Sequence, residues 1–417
     1  MSKIKSFVVK HKFFFIIYAF LFLYHFLVVN HAQWFAVDEM NYSFYCVDYS
    51  LGFHSEMLPG ALYHLIVGIY TKEAVGAYLT VVYAVFFLMV AYLMDKFLIK
   101  FWDHRKASLT LVAFFLVAPF AFNVFIVQFG MFDFNWVFFF VLALVCLQNR
   151  YLKFAVPLLA ALMAMVHYGA AISHFPILLI IILIYILKAD SKKEKTALII
   201  ILVLTVLAGA GMCLYFLLND SKNLVYSYED FKAFLKQRNA ISVYFDYSFY
   251  KKSPSELQVY YDKMSQTIEE GQKSSVFATI KQQIGSALTT ISIKDMLIVN
   301  AVGFVFEGFL LAILVSYFKQ KKEIIKRLIV IAMFGFSIVI PLIGVFFSTD
   351  YSRWMSHAFM LLFTVVLYLL YFDFAGGMRK IAAFFSRVGY TFVYLVLLLC
   401  FGTAISPYTF FPEDVLS

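Results

Sequence analysis

Residues 196–217 read TALIIILVLTVLAGAGMCLYFL, an apolar run with no charged side chain, fenced on its N-terminal side by Lys192, Lys193, Glu194 and Lys195. A helix needs about 20 such residues to cross roughly 30 Å of hydrocarbon. It can do so because its backbone satisfies its own hydrogen bonds where no water is available. The run therefore reads as a membrane-spanning helix, and the rest of the chain repeats the pattern. Comparable runs lie at 13–30, 74–94, 108–129, 131–148, 154–169, 171–188, 296–317, 327–347, 358–374 and 388–405. The sequence predicts an all-α, polytopic transmembrane protein of about 11 spans. The pair at 154–188, interrupted by His167, Gly169, His174 and Pro176, is expected to form two abbreviated helices meeting near the outer surface.

Composition agrees with lipid as the main solvent. Of 417 residues, 63% are hydrophobic and 14% charged, against about a quarter charged in soluble domains. The 51 Phe and 28 Tyr suit span interiors and interfacial belts. A net charge of +9 would suggest nucleic acid if it formed one stripe. Here the basic residues fall instead in short clusters between apolar runs, as the positive-inside rule requires. Lys3, Lys5, Lys10 and Lys12 precede the first run, which reads as an uncleaved span with the N-terminus inside. The clusters at Lys96 to Lys106, Arg150 and Lys153, Lys188 to Lys195, Lys319 to Arg327 and Arg379 to Arg387 then all fall inside. Only Lys72 and Arg353 sit in short outside connections. Cys46, Cys146, Cys213 and Cys400 have no metal-ligand spacing, so neither a disulfide framework nor a zinc site is expected.

Three parts follow: an N-terminal transmembrane module at 1–217 with a first outside loop at 31–73, an outside segment at 218–295, and a C-terminal transmembrane module at 296–417. The outside segment is rich in Tyr (Tyr244, Tyr247, Tyr250, Tyr260, Tyr261) and has amphipathic stretches at 255–270 and 275–290. It reads as a small helical extracytoplasmic cap.

Polar, chemistry-bearing residues gather outside. The first loop contains WFAVDEMNYSFYCVDYSLGFHSEMLPGALYHLIVGIY, residues 34–70. Its Asp38-Glu39 pair suits a general base or a cation site, because adjacent carboxylates repel each other; a solvated loop-start pair is the plainer alternative. His54 and Glu56 come next, then a run too short to span, expected to lie as a helix in the outer interface. The turn STDYSRWMSH, residues 348–357, holds Asp350, Arg353 and His357. Arginine's planar fork suits phosphate, although Asp350 and Arg353 could instead pair with each other. Asp133, near the outer end of its span, and Glu307, deeper, are ionisable groups of the kind that face a cavity or a partner. His167 and His174 lie near the outer surface, where a satisfied buried histidine is the commoner case.

This arrangement resembles the GT-C superfamily of integral-membrane glycosyltransferases, which includes protein mannosyltransferases and the aminoarabinose transferases of lipid A. The resemblance rests on Asp38-Glu39 in the first outside loop, the interfacial helix after it, and a large outside segment after the seventh span. It implies a polyprenyl-phosphate-linked sugar donor, a glycan or lipid acceptor, and Asp38 or Glu39 as the catalytic carboxylate. His54, Glu56, Asp133, His167, Asp350, Arg353 and His357 would bind substrate, with Arg353 stabilising the departing phosphate. A lipid phosphate is already an activated leaving group, so no cofactor is required, and no nucleotide-binding glycine motif occurs; a divalent-cation requirement stays open. The expected setting is a bacterial cytoplasmic membrane, with membrane lipids as neighbours and no nucleic acid. An O-antigen or capsule repeat-unit polymerase and a lipid-linked sugar flippase are the competing readings.

Overall fold

The computed structural model describes residues 10–29, 37–117, 129–130, 133–219, 226–241, 308, 324–347, 351–372 and 377–404. The protein is all-helical, 86% helix with no strand among the described residues. Helix α1 (Lys12–Leu23) runs into a π-helical turn at Tyr24–Val29. The first loop folds as α2 (Glu39–Phe44), two 3₁₀ turns and α3 (Leu58–Ile66). Then come α4 (Lys72–Lys100), α5 (Arg105–Val117), α6 (Asp133–Leu147), α7 (Val156–Val166), α8 (Tyr168–Lys188) and α9 (Lys192–Asn219). Beyond them are α10 (Tyr228–Gln237), α11 (Ile324–Phe347), α12 (Tyr351–Tyr371), α13 (Gly377–Val388) and α14 (Tyr390–Ala404).

Three helices, Lys72–Lys100, Ala171–Lys188 and Lys192–Asn219, are long and apolar enough to cross a membrane alone. Gly377–Val388 and Tyr390–Leu398 meet at 92° and together meet the same criterion. Helices also occupy the expected runs at 13–30, 131–148, 327–347 and 358–374, with shorter apolar cores. The run at 296–317 apart from residue 308, with Glu307, and the stretches at 255–270 and 275–290 lie outside the described residues, as does all of 118–128.

One expectation is corrected. At 154–188 only α7 is abbreviated; α8 is a single 21-residue helix that runs through Pro176. Proline deletes one amide donor, and a helix surrounded by protein tolerates that loss because neighbours re-satisfy the freed carbonyl. Helix α8 is such a helix, packed by α6, α7, α9, α11 and α12. The break falls at His167, whose extended backbone (φ −164°, ψ 104°) ends α7, while its carbonyl accepts from Ala171 N at 2.9 Å to start α8.

The bundle has two chemically different ends. At one, Lys12 lies over the Trp102 ring, Lys96 over Tyr92, Lys100 over Tyr371 and Lys106 over Tyr390. Here Asp95, almost fully buried, accepts from Phe14 N at 3.2 Å and pairs with His11 at 2.6 Å, pinning α1 to α4. The first loop, α10 and the starts of α4, α6, α8 and α12 gather at the other, loop end.

Candidate functional site

The loop end is built from caps inward. Asp38 has extended backbone and caps α2, its carboxylate accepting from Asn41 N at 2.8 Å and Asn41 Nδ2 at 2.5 Å, the third-residue bond expected of an N-cap. Asn41 Nδ2 also donates to Phe129 O at 3.2 Å, so the cap is fastened to the turn before α6. Asp38 itself stays exposed. Glu39, 65% exposed, pairs with Lys72 at 3.0 Å, the lysine that opens α4. The two neighbouring carboxylates thus have different surroundings: one held by an amide, the other by an ammonium.

Residues 54–57 turn inward. His54 and Glu56 are both buried, and Glu56 Oε1 lies 3.5 Å from His167 Nε2. His167 contacts the Trp136 indole of α6 at 5.8 Å between ring centres, and Trp136 stacks on His357 of α12 at 5.3 Å. His357, 1% exposed, meets His174 edge to face at 5.1 Å, and His174 Nδ1 lies 2.8 Å from Ser173 Oγ. Helices α6, α7, α8 and α12 and the first loop thereby converge on one row of groups: Glu56, His167, Trp136, His357, His174. Chemically this is a carboxylate-backed imidazole facing partly outward, with buried aromatic and imidazole rings behind it. A half-exposed imidazole beside a carboxylate is the arrangement of a general base or of a cationic anchor for phosphate.

Of the residues singled out in the sequence, the structure brings Glu56, His167 and His357 together, and His174 with them. Asp38 and Glu39 stand on the same end, linked inward through Asn41 and through Tyr45, whose hydroxyl accepts from Asn135 Nδ2 at 3.0 Å. The helices that contain Asp133 and Arg353 are described, but those two side chains, and Asp350 altogether, lie outside the described residues.

Sequence reasoning missed a second constellation. Asp48 and Arg238 form an ion pair at 2.8 Å with side chains 7% and 14% exposed. The guanidinium also donates to Cys46 O, and it lies over the rings of Tyr70 at 4.0 Å and Phe234 at 3.9 Å. Tyr42 donates to Arg238 O at 2.6 Å and Ile241 N to Ser43 Oγ at 3.0 Å. Helix α10, capped by Ser227, is thus docked on the first loop. Burial opposes the Asp48 charge, but hydrogen bonds from Ser50 and the Arg238 guanidinium outweigh it and hold the carboxyl below its ordinary range. Burial pushes the Cys46 thiol up to about 11, so it stays neutral beside the pair. The only sequence signal was local: Asp48 two residues before Ser50 suggests a side-chain-capped turn, which says nothing of a partner.

Among the described residues no group of three or more His, Cys, Asp or Glu side chains is arranged to hold a metal ion. Comparison with protein-family models, curated proteins and solved structures gives no match.

Proposed function

We propose that this chain is a bacterial cytoplasmic-membrane glycosyltransferase of GT-C type, with about eleven spans and its N-terminus inside. It moves a sugar from a polyprenyl-phosphate donor to a cell-surface glycan or lipid acceptor at the loop end. The observation that carries the reading is the convergence of Glu56, His167, Trp136, His357 and His174 under a loop whose Asp38 carboxylate is exposed yet fixed. Attack by an acceptor hydroxyl on an anomeric carbon needs a base for the proton and cations for the departing phosphate. Asp38, oriented by Asn41, takes the first part, while Glu39 is engaged by Lys72. His167, backed by Glu56, and Arg353 take the second. His357, stacked against Trp136, keeps that buried ring in place behind His167.

The test uses purified protein in liposomes with labelled polyprenyl-phosphate sugars and a crude surface-glycan lipid acceptor. Asn is as good an N-cap as Asp, so Asp38→Asn should keep the loop folded while transfer falls by about 100-fold or more, the usual worth of a positioned base. Glu56→Gln should fall comparably. Wild-type turnover in either variant removes that residue from the site. If no donor supports transfer while undecaprenyl-linked oligosaccharides are extended or moved across the bilayer, the polymerase or the flippase replaces this reading.

A further inference from the structure

A half-open cavity lies between α4, α5, α6 and α12, toward the basic end of the bundle, with Phe140 of its wall set between it and His174 of the histidine row. Its walls include Phe97, Leu144, Met360 and Tyr371, and it measures about 60 Å³, room for about four or five water-sized groups. Gln148, Thr364, Tyr368 and Tyr371 interrupt the apolar lining, and Gln148, Tyr368 and Tyr371 lie near the helix ends with the lysines. The Tyr368 hydroxyl and the Gln148 Oε1 are buried there, and although the two side chains are neighbours, neither oxygen closes a hydrogen bond in the protein. Just beyond, Lys100 donates to Tyr371 O and lies over the Tyr371 ring at 4.3 Å. Arg150, exposed, follows Gln148 by two residues.

Apolar walls, a buried hydroxyl donor and a buried carbonyl acceptor, then cations, form the sequence of environments along a glycerophospholipid from chain through ester to headgroup. We propose that the cavity binds an anionic glycerophospholipid drawn from the leaflet at the basic end, with part of one acyl chain inside. Tyr368 donates to an ester carbonyl, Gln148 accepts from a headgroup hydroxyl, and Lys100 faces the phosphate. The bent pair α13 and α14 supports the depth assigned. Helix α13 turns Arg379, Lys380 and Arg387 away from its buried Met378, Ile381 and Phe385, and departs from α14 at 92°, the geometry of a helix lying along a headgroup layer beside one entering the hydrocarbon. The inference needs only that the chain is embedded in a bilayer; it is independent of the transferase reading.

Native mass spectrometry of the full chain, titrated with phosphatidylglycerol or with phosphatidylcholine of the same acyl chains, tests it without any activity assay. Phosphatidylglycerol should be retained preferentially. Lys100→Ala should weaken it about fivefold, the worth of one basic residue at an anionic lipid surface, and leave phosphatidylcholine unchanged. Thr364→Phe, which fills the cavity, should abolish retention of both, with the melting temperature in detergent reporting that the variant is folded. Equal binding of the two lipids, or full retention by a folded Thr364→Phe protein, overturns the proposal. So does complete displacement of phosphatidylglycerol by equimolar polyprenyl phosphate, which would assign the cavity to the isoprenoid.

Discussion

Replacing Arg238 by methionine is expected to release residues 226–241 from the first loop while the helix bundle stays folded. Methionine keeps most of the apolar stem that lies between Tyr70 and Phe234 but removes the charge that Asp48 and the Cys46 carbonyl depend on. Removing one member of a buried ion pair leaves the other uncompensated, at a cost of roughly 3–5 kcal/mol. The lower figure corresponds to an opening equilibrium shifted by about 150-fold, so amide exchange across α10 and residues 42–48 should accelerate by that order. The pH dependence follows from Asp48, whose carboxyl is held below its ordinary range in the folded protein. A depressed carboxylate contributes stability above its unfolded value of about 3.9 and loses it as pH falls through the folded value. In the variant the Ser50 hydrogen bonds to Asp48 remain but the counter-charge is gone, so the wild-type advantage rests on the ionised carboxylate, and wild type and variant should converge as pH is lowered below about 4. Exchange that is unchanged at neutral pH, or a gap that widens on acidification, would show that the pair does not hold α10 down.

The contrast between this clasp and the histidine row shows what a sequence can disclose in a protein of this kind. Among the described residues three helices meet alone the length and apolarity that lipid imposes, and those, as at 196–217, were legible in the sequence. His167 and Glu56 were noticed because a polar group beside a long apolar run is conspicuous, and the structure then supplied their meeting at 3.5 Å. Asp48 and Arg238 lie 190 residues apart, each in a segment of mixed polar and apolar residues, so nothing local marks either. Lys72 stood out as one of two basic residues in short connections expected outside, yet its pairing with Glu39 depends on how the loop folds back on the start of α4. Pro176 misled for a related reason: proline's effect on an isolated helix is a strong local rule, and α8 is surrounded by five helices that override it.

Gly60→Ala is expected to disable both constellations at once. A Cβ at Gly60 would stand 1.8 Å from Val47 O, 2.9 Å from Val47 C and 3.2 Å from Phe44 O, so the obstruction is backbone and no side-chain rotation relieves it. Either the start of α3 or residues 44–47 must move by more than an ångström. The first choice drags Glu56, three residues before Pro59, away from His167; the second displaces Tyr45 from Asn135 and Cys46 from Arg238. Overpacking typically costs 1–3 kcal/mol, and a clash against backbone on this scale belongs at or above the upper figure. Gly211→Ala in α9 provides the control, since a Cβ there meets nothing within 4 Å. A helix-interior Gly→Ala change of that sort should be neutral or stabilising by roughly 0.5–1 kcal/mol. Thermal melts in detergent should therefore move in opposite directions for the two variants, with exchange in α3, residues 42–48 and α10 rising only for Gly60→Ala. If both variants melt alike, α3 is not seated on the Val47 carbonyl, and the loop that presents Asp38 and Glu56 has more room than the close approach at Gly60 implies.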